Sequence, residues 1–143
     1  MKFAHLIFGL LVISSTIAAA QSTKSAKAQA AKSAVATMNW QGTYFGITDC
    51  ANCEGIETRL QLNENKTYVL SVKPTKTKEK EFVQKGSFKW QGDMVVLQDL
   101  KVAGMAYMYK VEKNQVRQLY LISGEIRGAD WKGYILKKVG AVR

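Results

Sequence analysis

Two cysteines three positions apart, Cys50 and Cys53, are the residues of this chain whose type and spacing could carry chemistry. They are its only cysteines, and they lie in a short polar stretch at 49–55. A Cys-x-x-Cys pair can close a disulfide, bind a soft metal ion, or cycle between an oxidised and a reduced state. These chemistries require different surroundings, so the neighbouring residues narrow the choice.

A structural disulfide is the simplest use of the pair. In an oxidising compartment two cysteines so close in the sequence readily form one. The closed ring is short, however, and the chain-entropy model gives it only about 2 kcal/mol of stabilisation. Stability alone is therefore a weak reason for placing both cysteines here.

A thiol oxidoreductase would need an activated thiolate. Activation comes from a helix N-terminus or from basic neighbours, which lower the thiol pKa. The residues that flank this motif are Asp49 and Glu54, and their negative charge disfavours a thiolate. No alternation of strands and helices surrounds the motif, so catalysis by Cys50 and Cys53 is the less favoured alternative.

Metal binding is constrained by the small number of soft ligands. Two thiolates without histidine do not complete the tetrahedral shell that Zn(II) prefers, whereas Cu(I) accepts few sulfur ligands. Cu(I) is therefore the cofactor that Cys50 and Cys53 fit. Met105 and Met108 fall on one predicted strand, where residues three apart face opposite sides, so they are expected to fill core or surface positions.

The amino terminus predicts export. Residues 1–20 combine Lys2, an apolar run at 6–13 and a small-residue cleavage site, as in a secretory signal peptide. Its removal also removes His5, the only histidine, which excludes Ser-His-Asp hydrolases and Cys-His proteases. Gln21, rather than a cysteine, follows the expected cleavage site, so no lipid anchor is predicted, and no second apolar run is long enough for a transmembrane span.

The charge of the chain predicts its partners. The formal net charge is +10, part of it carried by an Ala/Lys/Ser-rich stretch at 21–38 that we interpret as a disordered tether. A lysine-rich segment at 73–80 adds to the basic surface. Such a surface attracts anionic partners, so we expect contact with envelope proteins or with the anionic envelope surface. Export makes nucleic acid an unexpected partner.

Residues 39–143 predict one all-β domain. Apolar residues alternate with polar ones at a period of two, and turn signals separate the alternating runs. We expect a small, closed or nearly closed antiparallel barrel of about eight strands, with a bulge at Gly86. The predicted strands cover residues 42–47, 57–62, 67–73, 81–90, 94–97, 105–112, 116–122 and 134–139.

The cysteine loop and its surroundings resemble a known family. Tyr44, Gly46, the string Cys-Ala-Asn-Cys-Glu-Gly-Ile-Glu-Thr at 50–58, and the segment Gly-Ser-Phe-Lys-Trp at 86–90 are similar to the amino-terminal domain of the NlpE-type copper-resistance family. The resemblance implies a lipocalin-like barrel in the periplasm of a Gram-negative bacterium, linked to copper tolerance and envelope-stress signalling. It implies that Cys50 and Cys53 bind Cu(I) or sense redox state.

These observations together predict a non-enzymatic periplasmic protein that acts in copper tolerance or envelope-stress sensing through Cys50 and Cys53. One alternative is a small ligand-binding barrel in which the two cysteines form a structural disulfide, because the predicted strands are rich in aromatic residues. The other alternative is a thiol oxidoreductase.

Overall fold

The structure, a computed structural model, describes residues 37–50, 53–101 and 104–140. Within these ranges the chain forms nine β-strands and one short 3-10 helix, Lys132–Tyr134. The strands are β1 Gly42–Thr48, β2 Ile56–Leu62, β3 Thr67–Pro74, β4 Phe82–Gln91, β5 Met94–Leu97, β6 Met108–Glu112, β7 Gln115–Ile122, β8 Glu125–Arg127 and β9 Ile135–Gly140.

The strands close into a barrel. Each strand from β1 to β7 pairs with the next in antiparallel fashion, and β9 pairs with both β1 and β7. The closed ring consists of β1 to β7 and β9, while β8 extends β7 as a hairpin outside the ring. The prediction of a closed antiparallel barrel of about eight strands is confirmed. Closure leaves no unpaired edge within the ring.

The alternation in the sequence determines which side chains fill the barrel. In β3, Tyr68, Leu70 and Val72 are buried, and the residues between them are more exposed. Side chains alternate across a strand, so one set from each strand enters the interior. The resulting core contains Tyr44, Leu60, Leu62, Tyr68, Leu70, Val72, Phe88, Val95, Leu97, Ala106, Tyr109, Val111, Val116 and Leu136.

The two ends of the barrel differ. At one end the connections are tight turns at 63–66, 92–93 and 113–114, and the rings of Trp40, Phe88 and Trp90 pack edge to face with centroids 5.3–5.9 Å apart. At the other end the connections are longer, at 49–55, 75–81, 98–107 and 123–134. We call this second end the open end. The cysteine pair is in the first of its connections.

Three details of the sequence prediction were wrong. Met105 precedes β6, which begins only at Met108, because the chain turns at Gly104 with a φ of 76°. β8 was not predicted, since all three of its residues are exposed and give no alternation. Gly86 pairs with Tyr68 in continuous register and is not a bulge; the register shift lies instead between β1 and β9, at Thr43 and Tyr44.

The predicted signal peptide at 1–20 and nearly all of the predicted tether at 21–38 lie outside the residues that the structure describes. In the part of the chain that is described, no helix has the length and apolar character needed to cross a membrane.

Gly86 provides the first prediction. A Cβ atom at this position would lie 2.7 Å from Cε1 of Tyr68, whose ring is buried and whose hydroxyl is hydrogen-bonded. We expect Gly86→Ala to lower the free energy of unfolding by about 1–3 kcal/mol through overpacking. Gly140→Ala is the matched control, because no atom lies within 4 Å of a Cβ there. Urea unfolding of both variants tests this, and equal stabilities would contradict it.

Two buried tyrosines provide the second prediction. The Tyr68 hydroxyl donates to the Gln98 carbonyl at 3.2 Å and accepts from Gln84 at 3.1 Å, whereas the Tyr109 hydroxyl is buried with no hydrogen-bond partner among the described residues. A buried polar group without a partner does not stabilise the fold. We therefore expect Tyr68→Phe to cost about 1–2 kcal/mol and Tyr109→Phe to cost less than about 0.5 kcal/mol. Thermal unfolding of the two variants ranks them; the reverse order would refute the assignment.

Candidate functional site at the open end of the barrel

The Cys-x-x-Cys segment forms the connection between β1 and β2. β1 ends at Thr48 and β2 begins at Ile56, and within this connection Cys50 and Cys53 are joined by a disulfide, with Cα atoms 5.3 Å apart. Both cysteines are half-buried. Gly55 is the last residue of the connection. A Cβ atom there would lie 2.5 Å from Cγ2 of Ile47, so the chain can pass this close to Ile47 because the residue is glycine. The oxidised pair is thus fixed at the rim of the barrel.

Contacts on one side tie this connection to the lysine-rich β3–β4 connection. The Gly55 carbonyl accepts a hydrogen bond from the backbone N–H of Thr75 at 2.9 Å and another from its hydroxyl at 3.1 Å. Glu54 forms an ion pair with Lys76 at 2.5 Å. Both charged side chains are largely exposed, so the ion pair contributes little to stability. The hydrogen bonds of Thr75 therefore position this side of the connection.

Contacts on the other side tie it to the short 3-10 helix. The Asp49 backbone N–H donates to the Gly133 carbonyl at 3.3 Å. The Asp49 carboxylate lies so close to Gly133 that a Cβ there would be 2.1 Å from Oδ2. A larger residue at position 133 would displace the Asp49 carboxylate from this place. The cysteine loop is held between two neighbouring connections through the residues that flank it.

The surroundings of the two sulfur atoms do not resemble those of an activated thiol. Sγ of Cys53 lies 3.2 Å from the Gly55 carbonyl oxygen, whose partial negative charge disfavours a thiolate. The cysteines precede a β-strand, and no helix begins at either of them in the described part of the loop, so none is placed to stabilise a thiolate. Asp49 and Glu54 flank the two cysteines, and the negative charge of Glu54 is paired with Lys76.

A cavity of about 280 Å³ lies next to the disulfide. It is lined by residues from four parts of the chain that meet at the open end: Thr48, Asp49, Cys50, Ile56, Gly104, Met105, Tyr120, Ile122, Trp131 and Tyr134. Most of these side chains are apolar or aromatic. Cys50 is thus part of the cavity wall, whereas Cys53 is not among the lining residues.

Three aromatic rings form one wall of the cavity. The centroids of Trp131 and Tyr134 are 5.2 Å apart, those of Tyr120 and Tyr134 5.6 Å, and those of Tyr120 and Trp131 6.1 Å. Arg117 supports this wall by donating to the Trp131 carbonyl at 2.9 Å. Burial raises the pKa of Tyr120 to about 12, so its hydroxyl stays protonated at neutral pH.

The predicted methionine placement needs correction. Met105 lies in the β5–β6 connection, half-buried against the core, and it lines the cavity together with Cys50. Met108 is buried on β6 and does not line it. Sequence reasoning missed Met105 because it placed both residues on one strand. Gly104, a residue typical of turns, was the sequence feature that indicated a later start for that strand.

The donor atoms at this site favour a soft metal ion over a hard one. Among the described residues, no group of three or more His, Cys, Asp or Glu side chains is placed to hold a metal ion. Reduction of the disulfide would make two thiol ligands available. Met105 lines the cavity together with Cys50, whereas Cys53 is not among its lining residues. Thiolates select Cu(I), so the two cysteines are the residues that would hold this ion in the reduced protein.

Several solved structures are similar to this chain. The chain is similar to a protein from Shewanella oneidensis described as a lipoprotein, with 33% identity over 73% of this chain and 93% of that chain and a TM-score of 0.59. It is also similar to the Cpx pathway activator NlpE from Escherichia coli, with 28% identity over 61% of this chain and a TM-score of 0.49. The match spans 46% of the Escherichia coli chain. A comparison with curated proteins gave no match.

The family is established by a match to a family model. The model of the family described as "NlpE N-terminal domain" matches residues 44–129, which is more than half of the chain. The matched region begins in β1, includes Cys50 and Cys53, and ends just after β8. The chain belongs to the NlpE N-terminal domain family.

Proposed function

We propose that this protein is a non-enzymatic component of the bacterial cell envelope, on the periplasmic side, whose Cys50–Cys53 loop links it to copper tolerance or to envelope-stress sensing. The observation that carries the proposal is the position of the cysteine pair: Cys50 lies at the rim of the barrel, in the wall of a cavity, in a domain of the NlpE family. The similar Shewanella oneidensis protein is described as a lipoprotein, which favours an envelope location.

The pair offers two chemical states. In the oxidised state the sulfur atoms are bonded to each other and cannot bind a metal ion. In the reduced state two thiols within one short loop can release their protons and bind Cu(I), because soft thiolates prefer this ion. The loop can therefore couple the domain to oxidation, to copper, or to competition between them.

A sensing or binding role is favoured over thiol catalysis. A catalytic Cys-x-x-Cys lowers one thiol pKa through a helix N-terminus or basic neighbours. Here the Gly55 carbonyl lies beside Cys53, and the Asp49 carboxylate is in the same loop. The only histidine of the chain is His5, far from the loop in the sequence. Among the described residues around the loop, these contacts supply neither a general base nor thiolate stabilisation.

The basic surface favours an anionic partner in the envelope. Lys73 near the end of β3 and Lys76, Lys78 and Lys80 in the following connection are all exposed, and Lys76 is paired with Glu54 of the cysteine loop. This positive surface therefore adjoins the cysteine loop. Envelope proteins with an acidic face, or the anionic envelope surface itself, are the partners that such a field would attract.

A second candidate function is the binding of a small apolar ligand. The cavity favours it, because an apolar and aromatic lining with few polar groups is typical of such sites. Its volume of about 280 Å³ suits only a small molecule or part of a larger one. Native mass spectrometry of the purified chain tests this candidate: an apolar molecule bound one to one favours it, and uniformly empty protein counts against it.

The proposal predicts how copper binds. We expect the reduced chain to bind Cu(I) about 100-fold or more tightly than Cys50→Ser/Cys53→Ser, since even indirect supports of a metal ligand are worth 10–100-fold. Competition with a chromogenic Cu(I) chelator under anaerobic conditions measures both affinities. The oxidised wild-type chain is the matched control, because it has the same side chains but no free thiols. Equal affinity of all three forms would remove copper from the proposal.

The proposal also predicts that the reduced state stays folded. The disulfide closes a ring of four residues, so its reduction should lower the free energy of unfolding by only about 2 kcal/mol. Urea unfolding with and without a dithiol reductant measures the difference, and the double serine variant should match the reduced wild type. A chain that unfolds on reduction could not switch between two folded states, and its disulfide would be structural.

A further inference from the structure

We infer that the cavity at the open end of the barrel binds an organic cation, a quaternary ammonium group in particular, between an aromatic wall and the Asp49 carboxylate. The inference rests on the second candidate function, ligand binding in this cavity, and specifies the charge of the ligand. It is independent of copper, because no sulfur chemistry takes part in it. The observation behind it is that Asp49 is the only charged side chain among the described residues that line the cavity.

The charge of this lining is opposite to that of the whole protein. The chain has 21 lysines and arginines against 11 acidic residues, yet no lysine or arginine is among the described lining residues. The Asp49 carboxylate forms no ion pair with a described residue, whereas Glu54 of the same connection is paired with Lys76. A negative charge without a partner, next to an apolar lining, favours a ligand that brings a positive charge.

The aromatic wall supplies a second attraction. Tyr120, Trp131 and Tyr134 form a contiguous cluster, with centroids 5.2–6.1 Å apart and rings inclined to one another by 36–81°. The face of an aromatic ring attracts a cation, and tryptophan does so most strongly. Trp131 is 36% exposed, so a ligand can reach it from the mouth of the cavity. Recognition of quaternary ammonium groups is a known use of clustered aromatic rings.

The fold holds the carboxylate and the aromatic wall next to each other. Gly133 lies between Trp131 and Tyr134 in the sequence, and the Asp49 carboxylate is so close to it that a Cβ there would be 2.1 Å from Oδ2. The Trp131 N–H donates to the Gly128 carbonyl at 3.2 Å, and a Cβ at Gly128 would lie 3.4 Å from Cε3 of Trp131. Both parts of the site are thus in place before a ligand arrives, which lowers the entropic cost of binding.

Other cations fit the lining less well. A hard metal ion needs several oxygen ligands, and in the described part of the chain no group of three or more His, Cys, Asp or Glu side chains is placed to hold one. A primary ammonium group has three N–H donors that need acceptors, and the Thr48 hydroxyl already lies 3.4 Å from the Ile56 carbonyl oxygen. A quaternary ammonium group has no donors, and a volume of about 280 Å³ is enough for a molecule as small as choline.

The first test isolates the charge of the ligand. It compares choline with the neutral alcohol that carries a tert-butyl group in place of the trimethylammonium group and has nearly the same shape. We expect the oxidised full chain to bind choline about tenfold more tightly. Tryptophan fluorescence measures both affinities, because Trp131 lines the cavity while Trp40 and Trp90 pack against each other at the opposite end. Equal affinities would overturn the cation site and leave a neutral ligand site, whereas binding of neither probe would also remove the second candidate function.

The second test locates the charge of the protein. Asp49→Asn keeps the size of the side chain, and we expect it to weaken choline binding at least about fivefold, as a charge pair at contact distance does even in water. Its affinity for the neutral alcohol should not change. Asp99→Asn is the matched control, because it removes the same charge from another connection at the open end and Asp99 does not line the cavity. Equal losses in both variants, with wild-type thermal unfolding, would overturn the site.

A third measurement separates the two sources of such a group, a free molecule and a lipid headgroup. A wild-type chain that binds free choline and does not sediment with phosphatidylcholine vesicles takes a free cation. Sedimentation with the vesicles that both free choline and Asp49→Asn reduce identifies a headgroup. Sedimentation that neither of them reduces would assign the vesicle contact to another surface and overturn the headgroup as the ligand.

Discussion

The seam between β1 and β9 is the contact on which the rest of the structure depends. A Cβ atom at Gly46 would lie 2.6 Å from the Ile135 carbonyl oxygen, and one at Gly42 would lie 2.4 Å from the Gly140 carbonyl oxygen. The two strands can approach this closely because glycine stands at both positions. The register shift at Thr43 and Tyr44 lies in the same seam. Without this pairing β9 would have β7 as its only partner, and the sheet would stay open with exposed edges.

Closure also decides where the functional site can form. In an antiparallel ring successive connections alternate between the two ends, so every second connection meets the others at one end. The tight turns occupy one end, and the cysteine loop, the connection with Met105 and the short 3-10 helix share the other. Residues far apart in the sequence are therefore brought around one cavity. Asp49 contacts Gly133, and Thr75 contacts Gly55, for the same topological reason.

The sequence predicted the structure well where a local pattern repeats along a strand. It predicted the structure poorly where the position of a residue depends on a single contact with a distant part of the chain. The alternation of apolar and polar residues in β2 and β3 indicated which side chains face the core, because each strand shows this period of two on its own. Gly86 was misread, since the ring of Tyr68 that it accommodates lies on the neighbouring strand. The cysteine motif could be recognised from its spacing, but its cavity could not. Met105 reaches that cavity only through the closure of the barrel and the burial of Ala106.

The way in which the loop is held separates its chemistry from the stability of the fold. Its hydrogen bonds to the neighbouring connections run through the backbones of Asp49 and Gly55, on either side of the cysteines, and not through the sulfur atoms. The bond between the two sulfur atoms closes a ring too short to stabilise the chain by much. A change at the sulfur atoms can therefore occur while both ends of the loop stay in place. Cys50 forms part of a cavity wall that also includes Met105 and Trp131, so the cavity is the part of the open end that lies next to the disulfide. The position of the disulfide in this wall, rather than its contribution to stability, is therefore its distinctive feature.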